Sequence, residues 1–177
     1  MMIRSLLVLL FALGSVQLQA AEPTTGPIVD GYGASFAIPD ADVKLPANHD
    51  YRVVWEITAY PDGPDAVNRP LDRVARFLNL HGKAGVPVEK MHLAVVVHGA
   101  ALKNMLNDEA YEPEFKTKNP NRELVERLLA SGVQLYVCGQ SMGFQGRSKS
   151  QLVPGVKLAQ SAMTMIHLLQ DEGYTVQ

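Results

Sequence analysis

Residues Met91 to Val97 read MHLAVVV, a nearly unbroken apolar run. A strand with one wet face alternates polar and apolar residues. A run apolar at almost every position fits a strand buried on both faces of a parallel sheet. Such a sheet needs helices on both sides, and the flanking sequence supplies them. Tyr51 to Thr58 (YRVVWEIT) is rich in β-branched and aromatic residues and predicts a first strand. Leu71, Val74, Ala75 and Leu78 recur at i, i+3, i+4 and i+7, an amphipathic helix that ends near Gly82.

The same alternation continues. A short polar helix is expected around Leu102 to Leu106, and a second helix over Asn121 to Ala130 with Gly132 as its stop. Val133 to Cys138 (VQLYVC) predicts strand three and Val156 to Ala159 a short strand four. Ser161 can cap a final helix over Ala162 to Gln170, and Tyr174 to Val176 predicts an edge strand. Gly143 to Lys149 (GFQGRSK) is expected to be a flexible basic loop. Strands alternating with helices imply right-handed crossovers. The expected fold class is α/β, a three-layer α/β/α sandwich with a mostly parallel five-stranded sheet.

The chain start carries a different signal. Arg4 is the sole charge before Glu22, Leu6 to Leu13 (LLVLLFAL) is a short apolar run, and Ala20 and Ala21 are small residues suited to cleavage. The run is too short for a bilayer core, which takes about 20 apolar residues. This predicts a signal peptide over residues 1–20, an extended lead-in over 21–49 and a single domain over 50–177. Export to the periplasm of a Gram-negative cell follows, with no stable membrane insertion once the signal is removed. Formal net charge is −2, and losing Arg4 makes it one unit more negative. No cluster of Lys or Arg stands out, so no nucleic-acid partner is expected.

Cys138 is the only cysteine, which excludes an intrachain disulfide and a cysteine-based zinc site. The five histidines show no metal-binding spacing, so no metal is expected. The G-x-G-x-x-G and P-loop motifs are missing, as is the G-x-S-x-G elbow, and no cofactor is expected. Two other segments fall where ligands bind in parallel sheets, outside the carboxyl ends of the strands. They are His98-Gly99 after strand two and Cys138-Gly139-Gln140-Ser141 after strand three. Backbone amides of a strand-to-helix turn can stabilise a thiolate at Cys138, the nucleophilic form. His98 can add positive charge or act as a base, and Gly99, Gly139, Gln140 and Ser141 form the candidate ligand-binding set. Residue chemistry alone leaves two readings of Cys138 open: an activated nucleophile, or a small apolar residue finishing a buried strand.

LAVVVHGAAL (Leu93 to Leu102), GVQLYVCGQSM (Gly132 to Met142), LVPGVKLAQSAMT (Leu152 to Thr164) and LLQDEGY (Leu168 to Tyr174) together resemble the DsrE/DsrF-like family. The resemblance spans about residues 50 to 177. It implies a small α/β fold that assembles as a homotrimer or homohexamer. It also implies a sulfur carrier in which a cysteine just after the third strand holds a persulfide, and Cys138 matches that position. A sulfur donor or acceptor protein is the implied partner. The known relays work in the cytoplasm, whereas the start of this chain predicts export. The second function class, kept beside the first, is a non-enzymatic oligomeric protein that binds a small ligand or partner and uses Cys138 structurally.

Overall fold

The structure is a computed structural model that describes residues 22–61 and 63–177. The expected signal peptide lies outside the described residues. Five strands form one sheet: β1 (Tyr51–Ile57), β2 (Met91–Val97), β3 (Gln134–Cys138), β4 (Lys157–Ala159) and β5 (Thr175–Val176). Their order is β4-β3-β2-β1-β5, and every pairing is parallel. β2 holds the middle of the sheet, as its apolar run requires.

The chain order explains the layers. From β1 to β4 each crossover steps to the next strand in one direction. The last crossover returns across the sheet to place β5 beyond β1. With right-handed crossovers, steps in opposite directions put their helices on opposite faces. Accordingly α1 (Arg69–Lys83), α2 (Asp108–Phe115), α3 (Arg122–Ala130) and α4 (Gly139–Phe144) contribute to one core cluster. α5 (Ala162–Asp171) covers the second face alone, over Val54, Ala94, Val96 and Cys138.

Helix α1 forms where the periodicity places it, with Leu71, Val74, Ala75 and Leu78 all buried. The Asn68 side chain caps it by accepting from the Leu71 N–H, and Pro70 fits the first turn. Two elements differ from expectation. Helix α2 is absent from the sequence reading, because DEAYEPEF has no apolar stripe and buries only Tyr111. Asn107 starts α2 through a side-chain cap on the Ala110 N–H. The expected polar helix near Leu102 is a 3-10 segment, Gly99–Met105, in which Ala101, Leu102, Asn104 and Met105 are buried.

The expected flexible loop at Gly143 to Lys149 is also differently built. Gly143 and Phe144 complete α4, and Arg147 pairs with Glu114 of α2 with its side chain mostly buried. Ion pairing to a helix that the sequence pattern does not reveal accounts for the difference.

Residues 22–49 contain no helix and only a single antiparallel bridge, Thr24 to Ser35. The first part of this segment is tied firmly to α1. Asn79 Oδ1 accepts from the Ile28 and Val29 N–H groups, at 3.1 and 2.8 Å. Its Nδ2 donates to the carbonyls of Val29 and Tyr32, at 2.8 and 2.9 Å. Lys83 Nζ donates to the carbonyls of Thr24 and Ser35. Gly33 lies so close to the helix that a Cβ there would sit 2.2 Å from the Arg76 nitrogen. Its N–H donates to Asp72 Oδ1 at 2.7 Å. These bonds span some fifty residues of sequence, and no local pattern announces them.

Asn79→Ala is expected to strand the buried amides of this strap. The loss should be about 1–3 kcal/mol of stability, the usual cost of buried polar groups left unpaired. Urea unfolding should show it, and limited proteolysis should cut between residues 22 and 35 faster than in the wild type. Unchanged cleavage would show that burial of Val29, not Asn79, holds the strap.

Candidate functional site

The sheet has one switch point. The helix after β3 goes to one face and the helix after β4 to the other. Between two such strands the connecting segments part and open a crevice at their carboxyl ends. Cys138 ends β3 at that crevice. The first turns of α4 and α5 therefore approach its sulfur from opposite faces of the sheet.

Cys138 is 5% exposed and packs in the second cluster with Val54, Ala94, Val96 and Ala162. Burial is the largest single influence on its thiol and pushes the pKa up. Four hydrogen bonds oppose it: from the Ser141 N–H, the Ser141 hydroxyl, the Ala162 N–H and the Gln140 N–H. The net result is a pKa below the ordinary value of 9.0. An inert cysteine in an apolar core would show the opposite direction. The residue is thus packed like a core cysteine and yet surrounded by donors that favour its thiolate.

Ser141 links the two candidate segments. Its Oγ accepts from the Gly99 N–H at 3.0 Å while its hydroxyl donates to the sulfur. The Gly99 carbonyl in turn accepts from Gln145 Nε2 at 2.8 Å. Gly99 adopts φ +58°, a conformation that a side chain would strain. Buried asparagines hold the same 3-10 segment from below. Asn104 Nδ2 donates to the Ala101 carbonyl, and Asn121 Nδ2 donates to Asn104 Oδ1. Polar residues inside a core stay satisfied this way, yet a run of separate asparagines has no sequence signature.

Gly139 permits a close approach, though to the protein itself. A Cβ there would lie 2.8 Å from the Ala159 carbonyl oxygen of β4. The glycine lets α4 start directly after the cysteine against the neighbouring strand. Gln140 is exposed, and its side chain donates to the Gln160 carbonyl at 3.3 Å. Beside them an open cleft of about 270 Å³ is lined by Gly139, Gln140, Leu158, Ala159 and Gln160.

His98 follows β2. In the ladder Val97 lies opposite Val137, so the next residues, His98 and Cys138, stand side by side on neighbouring strands. Strand alternation points both to the α5 face. The imidazole Nε2 lies 2.8 Å from Glu56 Oε1 of β1. The sequence reading did not single out Glu56. Its signal is faint: an exposed charge that shares its strand face with Arg52 and Val54. Among the described residues, no group of three or more His, Cys, Asp or Glu side chains is arranged to hold a metal ion, and no helix is long and apolar enough to cross a membrane.

The model of the DsrE/DsrF-like family matches residues 57–176. The chain belongs to the DsrE/DsrF-like family. Two solved structures share the fold. One is MTH1491 from Methanobacterium thermoautotrophicum, a protein of unknown function; it has TM-score 0.56 and 22% identity, over 72% of this chain and 98% of that one. The other is the YchN protein from E. coli, with TM-score 0.52 and 16% identity, over 72% of this chain and 99% of that one. No curated protein matches the sequence. The region matched to the DsrE/DsrF-like family holds His98, Cys138 and Ser141, whereas the strap on α1 lies before it.

Two outcomes follow from the sulfur's hydrogen bonds. Ser141→Ala removes the one hydroxyl donor and should raise the Cys138 pKa by roughly 0.5–1 unit, the equivalent of one ordinary hydrogen bond. The pH dependence of iodoacetamide alkylation reads this directly, and an unmoved midpoint would refute the role of that hydroxyl. The second outcome concerns stability. A folded-state pKa below the unfolded one means that folding favours the thiolate. Stability should therefore rise with pH from the lowered value up to about 9.0, and be lost as pH falls back through that window. In Cys138→Ser the rise should vanish from urea midpoints measured across it.

Proposed function

We propose that this member of the DsrE/DsrF-like family is a thiol-dependent sulfur carrier that loads a persulfide on Cys138. The observation that carries the reading is the placement of Cys138 at the carboxyl end of β3, where the turn into α4 and the start of α5 meet, with hydrogen bonds there lowering its pKa despite burial. Loading then needs no oxidant. The Cys138 thiolate attacks the terminal sulfur of a donor persulfide, and the new S–S bond forms as the donor's S–S bond breaks. The donor thiolate leaves with the electron pair. Unloading reverses the step onto an acceptor thiol.

The proposal extends to place and assembly. The charged, short apolar and small-residue start of the chain supports export to the periplasm. Phe144, at the end of the helix that begins beside Cys138, is 91% exposed. Met163, one residue past the Ala162 amide that bonds the sulfur, is 81% exposed. Large apolar side chains left in water next to a reactive group support contact with other subunits, in a homotrimer or homohexamer, or with a sulfur donor or acceptor protein.

One observation favours the second reading, a binding or assembly protein in which Cys138 is structural: the sulfur is nearly buried among apolar neighbours. Incubation with glutathione persulfide followed by intact-mass measurement separates the two. A mass gain of one sulfur atom, reversed by reductant and lost in Cys138→Ser, is the expected result. No gain, together with a thiol that labels only after unfolding, would establish the structural reading instead.

A further inference from the structure

Three neighbouring strands bring three chemical groups to one side of the sheet. Glu56 of β1 lies opposite Val96 of β2, and Val96 faces the α5 side within the second core cluster. Glu56 therefore faces that side too. His98 lies two residues beyond Val96, and Cys138 stands beside His98. Glu56, His98 and Cys138 thus form a slanted row across β1, β2 and β3, with Glu56 two residues short of the level of His98 and Cys138. Packing does not account for a carboxylate here, since the inward neighbours Val54, Ala94 and Val96 are apolar. Both side chains of the Glu56–His98 pair remain partly open to solvent, at 44% and 29% exposure, so a reactant at Cys138 can reach them.

From this row we infer that His98 is the acid–base group for the sulfur's reaction partners, and that Glu56 is its positioning residue. The inference rests on the sulfur-carrier reading of Cys138. Glu56 accepts the Nε2–H of His98, which fixes the tautomer and leaves Nδ1 to exchange protons. Hydrogen bonds at Cys138 already favour its thiolate, so the sulfur does not rely on a base. The partners do, because they arrive and leave as thiols. In loading, the donor thiolate is expelled as the S–S bond moves to Cys138, and the imidazolium gives it a proton. In unloading, the neutral imidazole takes the proton of an acceptor thiol. The resulting thiolate attacks the outer sulfur of the Cys138 persulfide, and Cys138 departs as the thiolate it was. Protons and electron pairs balance over the cycle, and the imidazolium is restored. The substrate class is therefore a thiol-borne persulfide as donor and a thiol as acceptor.

Other charged groups on the surrounding elements are engaged away from this row. Lys103 of the 3-10 segment lies over the rings of Tyr60 and Phe115, and Lys157 of β4 lies over Tyr136. His167 and Asp171 pair with each other in α5. Helix α4 carries no charged side chain. Among the described residues, the strand register sets Cys138, Glu56 and Tyr136 nearest His98, and the Tyr136 hydroxyl is engaged by donating to Gln134 Oε1.

The test compares wild type, Glu56→Gln, Glu56→Asp and His98→Asn in the full mature protein, each checked for folding by circular dichroism. Glutathione persulfide loads Cys138, and the rate of sulfur transfer to glutathione is followed by mass across pH. The expected result is about a hundredfold slower transfer in Glu56→Gln and His98→Asn, at the low end of general acid–base effects. The pH profile of transfer should change shape in His98→Asn, and Glu56→Asp should restore part of the rate. Iodoacetamide alkylation of Cys138 needs no proton from a leaving thiol and should change little, which a merely structural role would not predict. If Glu56→Gln does not fold, His98→Asn at its half-open position makes the same comparison. Variants that load and transfer like the wild type at every pH would overturn this inference alone. A wild type that takes up no sulfur would overturn the carrier reading, and this one with it.

Discussion

Val97 and Val137 lie opposite each other in the parallel ladder, and the placement of every reactive group follows from that alignment. Side chains alternate faces along a strand, so a slip of one residue would turn Cys138 toward the helices α1 to α4 and leave His98 on the other side. The slip is prevented because β2 is apolar on both faces and β3 buries Leu135 and Val137 against the larger cluster. Core packing thus determines the chemistry indirectly. The hydrophobic effect selects the register, and the register decides which side chains meet at the sheet's carboxyl end.

The thinner face of the sandwich is where they meet. Four helices contribute to one side, and α5 alone covers the other. A single helix of ten residues cannot cover a five-stranded sheet, so the rows beside it stay partly open. That is why Glu56 and His98 keep contact with water while Cys138, under the start of α5, is nearly buried. The same arrangement sets the competition at the sulfur. Burial acts against the thiolate, but the element that buries it also brings the Ala162 N–H, and the turn into α4 brings those of Gln140 and Ser141. Amide donors fixed by secondary structure need no reorganisation when charge appears on the sulfur. Burial and donors arrive together, and the donors prevail.

Legibility in the sequence divides along the range of the interactions. The six apolar residues of β2 and the stripe of α1 report their burial directly, and both elements form where the pattern places them. Positions at strand ends were also legible, because parallel sheets present ligands there. His98 and Cys138 were found that way. Helix α2 was hidden since it buries a single side chain and has Pro113 within it. The strap was hidden for another reason: its anchor is one asparagine in the middle of a helix, and such a residue looks like any polar helix position until its partners are known.

Glu56 shows most clearly why pattern stops short of a site. Within YRVVWEI it reads as the polar member of an alternating strand, a residue facing water. Its meaning depends on His98, forty-two residues later, being carried to its side by a crossover through α1. A carboxylate, an imidazole and a thiol form a row that runs across the strands, one member from each. Periodicity describes order along a strand, whereas a row across strands exists only once the register is set. In this fold the chemistry runs along the second direction, and the sequence could supply its members without showing that they are neighbours.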